Sequence, residues 1–129
     1  MKILKGITWN HTRGLLPMVA TAQRFSELNP DIEISWEKRS LQDFADHNIE
    51  DLAKRFDLMV IDHPWTGFGA KTNTILPLSD YLSADYIQDQ KENTVGKSFE
   101  SYVFGGKLWA LPIDAATPVA AARLDIFKA

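Results

Sequence analysis

Apolar positions recur first with a strand period and then with a helix period at the start of the chain. The run over residues 4–9 predicts a first strand, and residues 10–14 form the loop after it. The next apolar residues recur at steps of three and four and predict an amphipathic helix: Leu15, Met18, Val19, Ala22, Phe25 and Leu28. Pro17 is compatible with the first turn of this helix, and residues 29–31 end it.

A second strand and a second helix follow. Ile32, Ile34 and Trp36 alternate with polar residues, which predicts a half-buried strand at or near a sheet edge. Ser40 is typical of an N-cap, and the apolar stripe over residues 41–56 predicts one helix after it.

The third strand has a different pattern. Residues 58–61 are a continuous apolar run, which predicts a strand buried on both faces. A loop over residues 63–67 and a short helix over residues 69–74 are expected next.

The remaining segments have weaker patterns. Residues 76–82 predict a turn into a short helix, and residues 83–97 predict a helix plus a loop. Residues 102–111 predict a hairpin whose two-residue turn is Gly-Gly. Residues 119–123 predict one more strand, with a helix that starts at Asp125.

Strands that alternate with helices predict an α/β fold, with a mainly parallel sheet and helices on both faces. Ligands of such sheets bind beyond the carboxyl ends of the strands. We therefore expect residues 10–14, 38–40 and 62–67 to share one rim, because each segment follows a strand and leads into a helix N-terminus.

Composition and charge exclude several classes of function. The chain has 45% hydrophobic and 24% charged residues, which is typical of a globular domain with a core. A net charge of -3 argues against nucleic-acid binding, and the absence of cysteine excludes disulfides and thiolate metal sites. No apolar run is long enough to insert in a membrane, and Lys5 interrupts any signal-peptide core, so a cytoplasmic location is possible.

Catalytic and cofactor motifs are weak. The segment VGKS at residues 95–98 lacks the earlier glycine of a phosphate loop, and no nucleophile elbow occurs. His11, Asp62 and His63 could together hold a metal, but no short spacing supports this, so no metal or cofactor is predicted. A small α/β hydrolase that uses these three residues for metal-assisted or acid–base chemistry is the alternative function. A regulatory or structural domain without a small ligand is a third.

Polar and aromatic residues nevertheless concentrate at the expected rim. Trp65 either forms a platform for an apolar or sugar-ring face or packs on the adjacent helix, and both interpretations stay open. Arg13 precedes a helix and is able to pair with an anionic group, while Asp114 is either a cleft acceptor or a turn residue. The other tryptophans are expected in the core: Trp9, Trp36 and Trp109.

Five segments occur in an order and spacing that resemble a known family. They are F..LNPDIEI (25–34), DLMVIDHPW (57–65), ILPLSDYL (75–82), SYVFGGKLWALPID (101–114) and RLDIF (123–127). Together they resemble the N-terminal part of the family 1 extracellular solute-binding proteins, the sugar-type receptors of ABC importers.

The resemblance implies a type II periplasmic-binding-protein fold, in which two α/β lobes enclose a ligand. This chain would be a fragment, with an incomplete N-terminal lobe over residues 1–111 and a hinge crossing and the start of a second lobe over residues 112–129. The implied protein is a receptor and not an enzyme. Its partners would be a small polar solute and the membrane subunits of an ABC permease, and its location periplasmic or extracellular. An incomplete lobe would expose a sheet edge, so weak stability or pairing between chains is expected.

The resemblance also implies three ligand-binding segments. Carried over onto this sequence, they contribute His11, Thr12 and Arg13 after the first strand, His63, Trp65 and Thr66 after the third, and Asp114 and Thr117 at the crossing. Ala116 stands where some maltose-type members carry an acidic residue, so maltodextrin specificity is not implied.

Overall fold

The computed structural model describes residues 1–117, 119–123 and 125–126. Its strands are β1 (Lys2–Trp9), β2 (Ile32–Arg39), β3 (Leu58–Met59), β4 (Val103–Phe104) and β5 (Lys107–Leu108). Its α-helices are α1 (Thr12–Leu28), α2 (Leu41–Asp46), α3 (Ile49–Ala53), α4 (Trp65–Thr72) and α5 (Ala84–Glu92). Short 3-10 turns cover Leu78–Asp80 and Glu100–Tyr102.

A parallel three-stranded sheet with the order β2-β1-β3 organises the fold. β1 pairs with β2 along its whole length, from Lys2 opposite Ile32 to Trp9 opposite Arg39. This sheet and its helices confirm the predicted α/β class and the parallel crossovers.

Helices cover both faces of the sheet. On one face, Ile7 of β1 packs with Leu52 and Phe56, at and just after the end of α3. On the other face, Ala22 of α1 lies over Trp36 of β2, and the Thr8 hydroxyl donates to the carbonyl of Gly14 in α1 at 3.1 Å. Buried residues of β1 therefore contact helices on both faces of the sheet.

The third strand is shorter and more exposed than predicted. It pairs with β1 only at Gly6 opposite Leu58 and at Ile7 opposite Met59, and the Leu58 residue is 36% exposed. The prediction of a strand buried on both faces over residues 58–61 is wrong, because β3 is the last strand of the sheet and its outer side has no partner among the described residues.

Capping residues set the starts of the first two helices, and the start of α1 differs from the prediction. His11 accepts a hydrogen bond from the Arg13 backbone N–H, so α1 begins at Thr12, and Pro17 lies beyond the first turn instead of within it. Ser40 caps α2 as predicted, with 3.0 Å between its hydroxyl and the Asp43 nitrogen.

The predicted helix over residues 41–56 is two helices. Asn48 accepts from the Glu50 N–H at 2.9 Å and starts α3 inside that stripe, which ends α2 at Asp46. The apolar period continued across the break, so the period alone did not reveal it.

The elements in the second half of the chain agree only in part with those predicted from the sequence. Helix α4 begins at Trp65, ahead of the predicted residues 69–74. The predicted Gly-Gly turn is confirmed, with φ values of 60° at Gly105 and 76° at Gly106, which side chains rarely adopt. No helix in the described part of the chain is long and apolar enough to cross a bilayer.

The strand predicted over residues 119–123 is wrong, since these residues are irregular and have no neighbouring strand to pair with among the described residues. Asp125 and Ile126 form a turn where a helix start was predicted. Leu124 and residues 127–129, which include part of the RLDIF segment, lie outside the described residues.

The tryptophans divide by burial. Trp9 is 7% exposed and belongs to the core, as predicted. Trp36 and Trp109 are half-buried, so the prediction that they are core residues is only partly right. Trp36 packs on Gly6, where a side chain would collide with the indole ring.

Candidate functional site

A cleft of about 1050 Å³ lies along β3 and extends to the carboxyl ends of β1 and β3. Trp9 closes β1 at this end, and residues 60–63 continue β3 into the cleft. Tyr102, Trp109 and residues 113–117 line another side. The cleft thus lies where ligands bind in parallel α/β sheets.

The eight predicted ligand residues fall into two groups. Arg13, His63, Asp114 and Thr117 line the cleft. His11, Thr12, Trp65 and Thr66 are at the same end of the sheet, because they follow the carboxyl ends of parallel strands, but they are not among the lining residues. Solute contact by any of the eight stays a prediction.

Arg13 and Asp114 form an ion pair at the cleft. The Arg13 Nε donates to both carboxylate oxygens of Asp114, at 3.1 and 3.2 Å. The Arg13 side chain is 54% exposed and the Asp114 side chain 23%. This contact joins the first turn of α1 to the segment over residues 113–117, and it orients the carboxylate within the site.

Asp62, His63 and Tyr102 form a second polar group of the cleft. Asp62 Oδ1 accepts from the His63 backbone N–H at 2.9 Å and lies 3.5 Å from its Nδ1. Burial raises the pKa of Tyr102, and the charges of Asp62 and Asp114 raise it further. The Tyr102 hydroxyl therefore stays protonated and able to donate a hydrogen bond at neutral pH.

The sequence did not indicate Tyr102 as a site residue of a solute receptor, and it indicated Asp62 only as a strand-end acceptor of backbone or ligand hydrogen bonds. Tyr102 lies just before the hairpin, and its burial near two carboxylates depends on residues far away in sequence. Asp62 carried one local signal, its position immediately after an apolar strand.

His11 is engaged in a local structure. Its Nδ1 accepts the Arg13 backbone N–H at 3.0 Å, and its ring stacks on Trp9 with centroids 6.4 Å apart. Among the described residues, no three His, Cys, Asp or Glu side chains come together as metal ligands would. His11, Asp62 and His63 therefore do not form a metal-ligand cluster among the described residues.

Trp65 packs within the lobe. Its indole Nε1 donates to the Ala45 carbonyl at 3.0 Å, and the ring meets Phe68 edge-on with 5.5 Å between centroids. Of the two interpretations of this residue, the contacts match packing on its own helix. Thr66 beside it is 3% exposed, and its hydroxyl has no hydrogen-bond partner among the described residues.

Arg39, the last residue of β2, contacts the residue that follows β3 by one position. Its Nη1 donates to the Asp43 carbonyl at 3.1 Å and its Nη2 to the Val60 carbonyl at 3.2 Å, while the guanidinium lies over the Phe44 ring. Burial lowers the pKa of Arg39, and the Asp43 charge opposes that change. This side chain therefore joins the ends of two strands.

The fold is similar to that of solved sugar-binding proteins. A structure described as CpMnBP1 with mannotriose bound matches with a TM-score of 0.65 and 22% identity over 87% of this chain. A cyclo/maltodextrin-binding protein complexed with maltotetraose matches at 0.64, with 17% identity over 85% of this chain. The Thermus thermophilus maltotriose binding protein matches at 0.59, with 21% identity over 87% of this chain.

The chain spans 28–29% of the length of these three proteins. The type II periplasmic-binding-protein-like lobe predicted from the sequence is thereby confirmed as a fold. The sequence matches no protein-family model and no curated protein. At these identities the likeness concerns the fold, and function has to be argued from the site.

Proposed function

We propose that this chain is the N-terminal lobe of a solute receptor of an ABC importer, which binds a small polar solute without chemistry. The observation that carries the proposal is the position of the cleft. It lies at the carboxyl ends of parallel strands, in a fold shared with sugar-binding proteins, and it brings Arg13, His63, Tyr102 and Asp114 together. These residues can donate and accept hydrogen bonds on a neutral solute.

The solute class follows from the cleft's surface. Carboxylates of Asp62 and Asp114 accept hydrogen bonds, and the protonated Tyr102 donates one. Trp109 adds an aromatic ring to the same lining, while its Nε1 is already bonded to the Phe104 carbonyl at 2.9 Å. A compound with several hydroxyl groups and an apolar ring face, such as a sugar, fits this combination.

The proposed domain division places residues 1–111 in the first lobe and residues 112–129 in the crossing to a second lobe. The Arg13–Asp114 pair supports it, because this contact joins α1 to the start of the crossing. The opposite wall of the cleft then belongs to the second lobe of a longer protein.

Binding in this proposal works by population shift. A solute that contacts both lobes binds the closed state more tightly than the open one and stabilises it by that difference. The closed form then docks on the membrane subunits of the permease, in the periplasm or outside the cell. No bond of the solute is made or broken.

The test compares two arginines of the same helix. Binding of maltotriose and mannotriose to the chain is measured by calorimetry for wild type, Arg13→Ala and Arg24→Ala. Arg24 pairs with Glu27 on the exposed surface and does not line the cleft, so its loss is expected to leave affinity unchanged. Loss of Arg13 is expected to weaken binding about tenfold, because a charge-assisted hydrogen bond contributes about 1.5–3 kcal/mol.

Equal affinities of the two variants would contradict the site. Failure of both sugars to bind wild type would contradict the proposed solute class.

A further inference from the structure

The carboxyl end of the cleft holds more acidic than basic side chains. Among the described lining residues, Asp62 and Asp114 lie at this end with Arg13. Asp57, a third carboxylate of the lining, accepts the Lys5 backbone N–H at 2.9 Å before β3 begins. The described lining has two cations, Arg13 and Lys97, and Arg13 is the one that contacts Asp114.

Asp114 already forms an ion pair with Arg13 through the Arg13 Nε. Both of its oxygens lie within 3.2 Å of the Arg13 Nε. The pair is partly exposed, so its contribution to folding is small. Its effect on binding is larger, because a carboxylate or phosphate that approaches the Nη groups of Arg13 meets the repulsion of the adjacent Asp114 and of Asp62. A neutral hydroxyl group meets no such repulsion.

We infer that the Arg13–Asp114 pair is a specificity device that rejects anionic solutes and admits neutral ones. The inference rests on the proposed function and adds the charge of the solute to it. Arg13 holds the carboxylate in place, and the remaining lone pairs of Asp114 accept from solute hydroxyl groups. The guanidinium keeps its two Nη groups, which have no hydrogen-bond partner among the described residues, for neutral acceptors.

The decisive variant is Asp114→Asn, which removes one negative charge and leaves Arg13 beside a neutral amide. The probe is trigalacturonate, an anionic trisaccharide, and its affinity is measured by calorimetry for each variant. We expect Asp114→Asn to bind trigalacturonate at least about tenfold more tightly than wild type, since an Arg–carboxylate pair is charge-assisted and bidentate.

Two further variants separate the effect of the Arg13–Asp114 pair on affinity from the effect of a change in net charge. Asp80→Asn removes the same charge and releases Lys107, its partner at 2.6 Å, but neither residue lines the cleft. It is expected to give no gain. The double variant Arg13→Gln/Asp114→Asn is expected to lose the gain, because the cation is gone.

A second measurement does not depend on any ligand. The Nε–H resonance of Arg13 in nitrogen–proton correlation spectra is expected to show a hydrogen-bonded proton in wild type and to lose that signature in Asp114→Ala, which has no acceptor. An unchanged resonance would overturn the inference. So would an equal affinity of wild type and Asp114→Asn for trigalacturonate, or an equal gain in Asp80→Asn. Maltotriose binding to wild type is scored separately, because its absence would count against the proposed function and not against the pair.

Discussion

The indole ring of Trp9 lies directly against the backbone of Gly14. A Cβ at residue 14 would come within 2.5 Å of this ring, closer than real contacts allow. Trp9 ends β1 and is 7% exposed, and Gly14 belongs to the first turn of α1. The close approach therefore seats α1 on the sheet and places the neighbouring Arg13 at the cleft.

Substitution Gly14→Ala is expected to destabilise the protein. The buried indole cannot move aside without disturbing the core, so the overpacking should cost about 1–3 kcal/mol. Gly67→Ala is the matched control: Gly67 also lies in a helix, and its added Cβ would meet Phe104 at an ordinary 3.4 Å. This control should be neutral or stabilising by up to about 1 kcal/mol, because alanine favours helices. Thermal melts that rank the two variants equally would contradict the close approach.

Two buried threonines allow a test of hydrogen bonding. Thr8 is fully buried and donates to the Gly14 carbonyl, whereas the buried Thr66 hydroxyl has no partner among the described residues. Thr8→Val is expected to lower the free energy of unfolding by about 1 kcal/mol, because it removes a buried hydrogen bond. Thr66→Val should be neutral or stabilising, since it removes an unsatisfied group. A larger loss for Thr66→Val in urea denaturation would show that its hydroxyl has a role in the fold.

Alkaline pH should destabilise the protein through Tyr102. Burial and two nearby carboxylates raise its pKa in the folded state above the ordinary 10.0, while the unfolded chain keeps the ordinary value. The unfolded state therefore loses its proton first as the pH rises above that value, and stability falls until the folded state ionises too. Tyr102→Phe should lose less stability than wild type between neutral pH and this alkaline range. Tyr86→Phe, which removes an exposed tyrosine, should follow wild type. Parallel curves of unfolding free energy against pH for all three proteins would exclude a link between Tyr102 ionisation and stability.

The open edge of β3 should make the isolated chain self-associate. Leu58 is part of this edge and is 36% exposed, so two chains can pair there. Leu58→Lys is expected to shift the sedimentation profile towards monomer, because a charge on an edge strand opposes pairing. Leu28→Lys, at the exposed end of α1, should leave it unchanged. A monomeric wild type with a sharp two-state melt would contradict both the association and the weak stability.

Several elements were predictable because their signals are local. The strand–helix alternation follows from apolar period, the Ser40 cap from its hydroxyl, and the hairpin turn from Gly105 and Gly106. The break at Asn48 also had a local signal, an asparagine followed by two acidic residues in a first helical turn, but the continuous apolar stripe concealed it. The extent of β3 had no local signal in the sequence, since the length of a strand depends on which strand lies beside it.

The candidate site was predictable in position and not in its contacts. Parallel strands separated by helices bring their carboxyl ends together whatever the loops contain, so the location of the rim followed from the order of elements. The side-chain partners did not follow. Arg13 meets Asp114 across 101 positions of the chain, and Trp65 donates to a carbonyl 20 positions earlier.

The sequence by itself determined the crossovers, the sheet direction and the end of the sheet at which polar residues collect, because these follow from local periodicity and from the handedness of the connections. Only the tertiary structure decided which of those residues face the cleft. His11 caps helix α1, and Trp65 donates a hydrogen bond to the Ala45 carbonyl. Tyr102 is buried near the carboxylates of Asp62 and Asp114. The physical reason is that a side chain takes the partners that folding places next to it, and the partners of Trp65 and Tyr102 that decided their roles lie far away along the chain.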